Sequence, residues 1–568
     1  MADIVLVITG RVYVEQEVFQ MESPFLSFGA SVLEKYGYDV KVLDFYLNFD
    51  KYTVQDIVKE KPKLILVYTV TSGYEWEPTY ELLQEIRGTE TLKTSHLGLW
   101  IFHPNAFHDL LLEGFIDSIY LGNIGEAKSL VNYTQCVLER NLSDAPATVF
   151  TLNNQIKVNA PLPLSTLDEL NNLPYYKHYY LDELKARNQP LGEELAVIRS
   201  SYGCHGRCTF CKVQAFSDYY DRYKWRSLSP ERVVAEIEDT YNKYGIKYFY
   251  FADPLFIGAG KRGKEIARRF AELIIAKKID IKFFIYARAD GVDKDTLSIL
   301  KKAGLTTIVL GIESLSQSQL NRYSKGTKVT KNIEAIDICK ELDIYMQPGF
   351  ILFDAYTTIE ELQENVKNLK EVCKEKSYLF SKPDRLIGGI LNAFEGTEVF
   401  EDYKREGLLL QGKFNDLDVM NKAEKLGISR NVNEAFYFKD DRISTIAHAC
   451  GLVRGEIGRQ MFLAQKYRRE CIEELKLSPN DKEKKLELNN LVLWNNYIGS
   501  FTIEALGFIV DELSYVDNHW LDQFKVLDKV WDNFQKYNSH FLGASRSKIH
   551  SLDRYEAIKK RELQLLNN

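Results

Sequence analysis

Short apolar runs recur through the first 135 residues, in the segments DIVLVITG, DVKVLDF, KLILVYT, HLGLWIF and FIDSIYLG. Helical patterns such as SFGASVLEKYG, TVQDIVKEK and YELLQEIRG lie between them. The Val, Ile and Leu runs do not alternate with polar residues, which suits strands covered on both faces, and the βαβα order implies a parallel, doubly wound sheet. Such a sheet binds ligands beyond the carboxyl ends of its strands. That rule singles out residues 9–11, 69–73, 102–105 and 122–126.

Residues 136–190 carry the Pro-punctuated stretch PLPLSTLDELNNLPYY with little periodicity and read as a linker. Alternation restarts at 191–395. Strands are expected at 196–200, 248–251, 282–287, 306–311, 345–353 and 386–391, with helical patterns such as SPERVVAEIEDTYNKYG between them, where Ser229 caps and Pro230 opens the first turn. Six βα units in that length predict a partial (β/α)6 barrel of the TIM type, with its chemistry at the carboxyl ends of the strands. Residues 396–568 turn mostly helical and predict an α-helical C-terminal domain. The fold class is α/β in three domains, 1–135, 191–395 and 396–568.

Composition narrows the class. The chain has 568 residues, 45% of them hydrophobic, only 14 Pro, and a net charge of −7. It can bury a core, and mild acidity argues against a broad nucleic-acid footprint while leaving room for a local basic patch. The N-terminal apolar run is short and lacks a basic flank, and no stretch reaches the roughly 18 apolar residues a spanning helix needs. A cytoplasmic protein with no membrane or nucleic-acid partner is expected, as a monomer.

Three of the eight cysteines, Cys204, Cys208 and Cys211, fall in C-x3-C-x2-C directly after the apolar run AVIRS. Thiols grouped in a reducing compartment read as metal-binding or catalytic. Three thiolates can hold three irons of a four-iron cluster and leave one iron open. A structural zinc site that recruits His205 is the rival, although His205 adjoins Cys204 and would have to fold back. An incidental triplet is the bland alternative, and buried packing is the reading for the five scattered cysteines.

With Phe210 inside the last interval, CHGRCTFC resembles the radical S-adenosylmethionine (SAM) superfamily, whose hallmark is C-x3-C-x-aromatic-C. The resemblance covers about residues 195–395. It implies a [4Fe-4S] cluster on Cys204, Cys208 and Cys211, whose open iron chelates SAM and whose electron cleaves it to a 5′-deoxyadenosyl radical. It also implies SAM contacts at Phe210, at Asp253 in FADPLF, at Arg288 in YARAD and at Glu313 in LGIES. In the fifth-strand slot, GFILFD, the frequent continuation Gly-x-Pro-Gly-Glu-Thr is replaced by DAYTT.

A doubly wound domain ahead of such a barrel resembles the cobalamin-dependent branch. LGNIGEA is similar to that branch's Gly-x-x-Gly-Glu turn. The resemblance implies cobalamin contacts at Gly122, Gly125 and Glu126, with Thr69, Thr71, Ser72 and His103 from neighbouring loops. The Asp-x-His-x-x-Gly signature of cobalt-ligating histidines is missing from the N-terminal domain, and its nearest match, Asn538-Ser-His540-Phe-Leu-Gly543, reads as accidental. A domain that keeps the fold without the ligand is the alternative. The implied activity is methylation of an unactivated carbon in a small molecule or peptide, fed by an electron donor such as flavodoxin or ferredoxin. A cobalamin-associated rearrangement, cyclisation or ring contraction is the second reading, and a non-catalytic cobalamin- or metal-binding regulator the third.

Overall fold

The computed structural model describes residues 2–9, 21–45, 47, 52–69, 76–101, 107–191, 194–220, 224–410, 436–514, 522–542, 552, 555–557 and 559–560. Thr71, Ser72 and His103, with segments 10–11, 70–73 and 102–105, lie outside these residues.

Strands β1 (Ile4–Ile8), β2 (Val40–Asp44), β3 (Leu64–Tyr68), β4 (His96–Trp100) and β5 (Ser118–Tyr120) form a parallel sheet in the order 2-1-3-4-5. All five residues of β3 are buried, as expected for a strand covered on both faces. The order reverses between β1 and β3, so the crevice opens beyond Ile8 and Tyr68. There Thr9 and Thr69 both reach the Thr79 hydroxyl, at 2.6 and 3.4 Å.

The stretch 136–190, expected to be a linker, contains two further strands. β6 (Thr148–Leu152) and β7 (Gln155–Val158) form a hairpin that pairs antiparallel with β5 and extends the sheet edge. Asn153 and Asn154 make its two-residue turn with φ of +51° and +60°. That is the left-handed pair a type I′ turn needs, and asparagine tolerates it. The helices Leu167–Asn171 and Tyr179–Ala186 follow.

Five parallel strands build the second sheet in chain order: β8 (Leu195–Ile198), β9 (Tyr248–Phe251), β10 (Lys282–Arg288), β11 (Leu305–Glu313) and β12 (Tyr345–Phe350). The sixth expected strand, 386–391, is reduced to one bridge between Phe353 and Ile390. The helix Asp384–Ile387 takes its first half, and Gly389 then accepts the N–H groups of both Leu352 and Phe353 at 2.7 and 3.0 Å. A Cβ on Gly389 would fall 2.1 Å from the Phe350 carbonyl oxygen, so the close approach needs glycine.

Long helices Asp441–Leu477, Lys482–Leu513 and Asp522–Leu542 pack on one another at the C-terminus. The second of them lies on the barrel, where Gly499 brings its backbone against Ser377. Asn538 and His540 sit on the last helix and not beside a parallel sheet, and Gly543 falls outside the described residues. Among the described residues no helix is long and apolar enough to cross a membrane.

Two polar clasps join the N-terminal sheet to the barrel. Glu126, after β5, accepts from the Arg226 guanidinium at 2.8 Å and from the Ser165 amide and hydroxyl at 2.7 and 2.9 Å, while Arg226 also donates to the Ser165 carbonyl. In the second, buried His178 bridges Glu22 of the first domain at 2.6 Å and Thr240 of the barrel at 3.1 Å. Nearby, Tyr179 donates to Asp44 at 2.6 Å. Burial pushes the Asp44 carboxyl up to about 7, against the Tyr179 hydroxyl and Leu47 amide that pull it down.

Removing Glu126 leaves Arg226 largely buried without its counter-charge, so Glu126→Ala should cost about 3–5 kcal/mol in urea unfolding. Lys63→Ala, which breaks an exposed pair with Asp3, should cost at most about 1 kcal/mol. Because native Asp44 holds a proton that the unfolded chain has already released, stability should fall as pH rises from about 4 to about 7. Asp44→Asn should flatten that part of the profile of urea midpoint against pH.

Candidate active site

The cysteine loop begins where β8 ends. Leu195 to Ile198 are all buried, and the chain leaves the sheet through Arg199, Ser200 and the short ladder of Ser201–Tyr202 with Arg226–Ser227. Asp253, just past β9, is buried and fixes this exit. Its carboxylate accepts from the Ser200 amide at 2.8 Å, the Ser200 hydroxyl at 2.5 Å and the Ser201 amide at 3.1 Å. Burial raises the Asp253 pKa while these donors oppose the shift. The residue expected to meet SAM thus holds the backbone that feeds the cysteines.

Gly203, at φ +75°, turns the chain into Cys204. The Gly206 amide donates to the Cys204 sulfur at 3.3 Å, and Cys211 opens the helix Lys212–Tyr219. Cys208 is buried, whereas Cys204 and Cys211 are half-buried. Gly206 is required by what lies beneath it, because a Cβ there would sit 2.7 Å from Arg288 Nη1.

Arg288, at the end of β10, is buried and points at the loop. Its Nη1 lies 3.6 Å from the Cys208 sulfur, both ends of its fork reach Asp290 at 2.9 Å, and Nη2 also donates to the Lys325 carbonyl at 2.5 Å. Lys325 is buried too, and its ammonium donates to Glu313 at 2.7 Å. Burial opposes the Lys325 charge, but Glu313 and the Cys208 thiol outweigh it and hold the ammonium above its usual pKa. For Cys208 burial raises the thiol pKa and the two cations pull against it; Cys211, without them, is pushed up to about 11 by burial.

Glu313 sits at φ +60°, a left-handed conformation that is costly for a residue with a side chain. The strain turns its carboxylate back over paired Gly311 and Gly349: a Cβ on Gly311 would meet Glu313 Oε1 at 2.9 Å and Lys325 Nζ at 3.0 Å. Cys208, Arg288, Glu313 and Lys325 therefore converge at the carboxyl end of the barrel. Lys325, in the polar stretch YSKGTK, is not among the residues expected at the site.

Phe210 packs edge-on against Tyr323, centroids 5.5 Å apart, and Tyr323 donates to Asp354 at 2.6 Å. Arg322 adds a donor to Asp354 at 2.8 Å. The aspartate that begins the unusual DAYTT segment is thus the anchor of the turn that carries Lys325.

On the sheet side, the glycines of LGNIGEA are filled by protein. Gly122 receives the Tyr120 ring, and Gly125, at φ +98°, receives Tyr202 of the barrel, whose ring carbon would lie 2.7 Å from a Cβ. Glu126 is committed to Arg226 and Ser165. Thr69 stands at the crevice edge with Thr9.

A [4Fe-4S] cluster fits the donor set. Its irons take one thiolate each from a spread loop, and among the described residues no three His, Cys, Asp or Glu side chains converge as they would on a single metal ion. Arg288 and Lys325 supply positive charge where the thiolates would gather. Beside the loop lies a cavity of about 810 Å³ whose wall includes Cys204, Gly206, Trp225 and Arg262.

Residues 198–369 match the radical SAM superfamily. An uncharacterized methyltransferase of Pyrococcus horikoshii is 28% identical over 221 residues, covering 39% of this chain and 45% of that protein. The anaerobic magnesium-protoporphyrin IX monomethyl ester cyclase of Synechocystis sp. is 26% identical over 371 residues, 64% of this chain and 68% of that one. The chain therefore spans less than half the length of the first relative and about two thirds of the second. Among solved structures, the cobalamin-dependent S-adenosylmethionine radical enzyme OxsB, with aqua-cobalamin and S-adenosylmethionine bound, aligns over 94% of this chain and 84% of its own, with a TM-score of 0.63 and 17% identity. Residues 198–369 thus carry a radical SAM domain, and the chain as a whole shares the fold of the cobalamin-dependent S-adenosylmethionine radical enzyme OxsB.

Proposed function

We propose that the chain is a cobalamin-dependent radical SAM methyltransferase acting on an unactivated carbon of a small molecule or peptide. The observation that carries this is the meeting of Cys208, Arg288, Glu313 and Lys325 at the carboxyl end of the barrel, beside a domain of cobalamin-binding fold. When bound, the cluster and SAM supply a carbon-centred radical and cobalamin supplies the methyl carrier.

Cys204, Cys208 and Cys211 would hold three irons, and Arg288 and Lys325 would offset the charge of their thiolates. Asp253 keeps the loop in place by binding the backbone of Ser200 and Ser201. Gly311 and Gly349 make room for the Glu313 carboxylate, which Lys325 holds at the barrel mouth, where it could accept from ribose hydroxyls. On the sheet side, Thr69 at the crevice edge, with Thr71, Ser72 and His103, would bind the cobalamin. A carrier protein would deliver the electron.

Ring formation without methyl transfer is the second reading, favoured by the likeness to the Synechocystis cyclase. Product mass separates the two: a gain of one methylene supports methylation, and a loss of hydrogens supports cyclisation.

Anaerobically reconstituted Cys208→Ala should lose most of its bound iron and form no deoxyadenosine, with an unchanged far-ultraviolet circular dichroism spectrum. Full iron content in this variant would sink the assignment. Lys325→Met leaves Glu313 without its partner and should lower stability by about 3–5 kcal/mol in urea unfolding. The double variant Lys325→Met, Glu313→Gln should recover part of that loss while deoxyadenosine formation stays depressed.

A further inference from the structure

The barrel strands bury one face completely and leave the other within reach of solvent. Phe251 and Phe283 pack on Phe270 of the helix Gly260–Lys277, and with Ile285 they are at most 1% exposed. Tyr250, Phe284, Tyr286 and Gln347, one residue out of step with that face, are only half-buried. Side chains alternate along a strand, so Phe284 and Tyr286 share a face with Arg288, and Gln347 shares one with Gly349. Both faces look into the barrel beneath the thiol loop. A closed barrel fills its interior with side chains, whereas this one is wetted from within.

The inner face is layered. Tyr286, Val309 and Gln347 pair side by side across β10, β11 and β12, and Arg288, Gly311 and Gly349 form the next layer. That layer is about 7 Å nearer the carboxyl ends. The lower wall is aromatic: Tyr250 stacks on Phe284 with centroids 4.3 Å apart, and its hydroxyl donates to that of Tyr286 at 3.3 Å.

Arg385, half-buried on the helix Asp384–Ile387, reaches the middle layer. The Gln347 amide, with its oxygen toward Arg385, accepts from both ends of the guanidinium at 2.7 and 3.1 Å. An amide oxygen orients the cation without neutralising it. Burial outweighs the pull of neighbouring Asp384, whose carboxylate also lies 3.9 Å from Arg454, and holds the Arg385 guanidinium below its usual pKa. Burial opposes the charges of Arg288 and Arg322 too, but Asp290 lifts the first above the usual range, and Glu361 with Asp354 lifts the second. The barrel thus keeps one guanidinium short of counter-charge on a solvent-reached aromatic wall.

We propose that Arg385 selects the substrate, which is a molecule with a flat apolar body and a carboxylate or phosphate group. The anion takes the parallel donors of the guanidinium, Gln347 sets their direction, and the flat body lies on Tyr250, Phe284 and Tyr286. A substrate held there extends toward the layer of Arg288 and Gly311, under the Glu313 carboxylate. Calling the bound anion a substrate rests on the radical SAM reading above; the anion site itself rests on Arg385 and Gln347.

The test uses the full chain, anaerobically reconstituted, titrated calorimetrically with benzoate, phenyl phosphate and the neutral benzamide. Wild type should bind at least one of the two anions about tenfold or more tightly than benzamide, and the preferred anion identifies the group. Arg385→Gln, which removes the cation, and Gln347→Glu, which neutralises it, should each bring that anion to the affinity of benzamide. Arg385→Lys should keep part of the preference. Because the cation is held at a cost, Arg385→Gln should unfold in urea at a midpoint no lower than wild type. Equal wild-type affinity for the anions and benzamide overturns the proposal, as does a preference that survives Arg385→Gln. A clear fall in the urea midpoint also overturns it, by making Arg385 a structural residue. An Arg385-dependent preference in a chain that makes no deoxyadenosine from SAM and dithionite overturns the functional reading and leaves the anion site standing.

Discussion

Placing a guanidinium and an ammonium under a loop of thiols is costly unless each cation finds a counter-charge, and the mouth of the barrel is arranged around that requirement. Arg288 is met by Asp290 and Lys325 by Glu313. Each pairing imposes a backbone condition. Glu313 must adopt a left-handed conformation, Gly311 and Gly206 must lack side chains, and the turn after Arg322 must be tied down by Asp354. The thiol loop therefore lies on a charged floor whose parts come from the ends of two neighbouring strands and one turn. A change in any of them moves the others, which makes the cluster loop and the barrel mouth one structural unit.

The junction between sheet and barrel follows a related logic with different residues. The turn after β5 has the glycines of a ligand loop, yet the barrel's Tyr202 occupies the space over Gly125 and Arg226 takes the Glu126 carboxylate. The turn thus serves docking of the barrel directly, while Thr9 and Thr69 meet at the Thr79 hydroxyl where the strand order reverses between β1 and β3. A second buried contact, Glu22 to His178 to Thr240, fastens the far side of the same joint.

Much of this was legible in the sequence because the informative residues carry local patterns. Five continuous apolar runs announced the parallel sheet, and CHGRCTFC after AVIRS placed the thiols at a strand end. Arg288 and Glu313 could be marked by their positions after strands. What a polar side chain points at was harder to see. Asp253 reads as a ligand contact in FADPLF but is spent on two serines, and only the fold shows that a neighbouring strand end needs it. Lys325 was invisible because a lysine among Tyr, Ser and Gly has the pattern of a solvated turn, and its burial arises from contacts with residues distant in sequence. The β6–β7 hairpin escaped for a third reason: its strands are short, and the Asn153-Asn154 turn signal is weaker than a glycine would have made it.

The Glu126–Arg226 clasp also bears on modularity. The chain reads as three domains, but a cut between the sheet and the barrel would hand each fragment one member of a buried ion pair. It would leave Tyr202 without the glycine surface that receives it and Ser165 without the carboxylate its amide and hydroxyl donate to. The N-terminal sheet and the barrel are therefore separable in topology but not in chemistry. Exchanging the N-terminal sheet for that of a relative would require bringing along both the 122–126 turn and the matching 201–202 and 226–227 ladder as a single cassette.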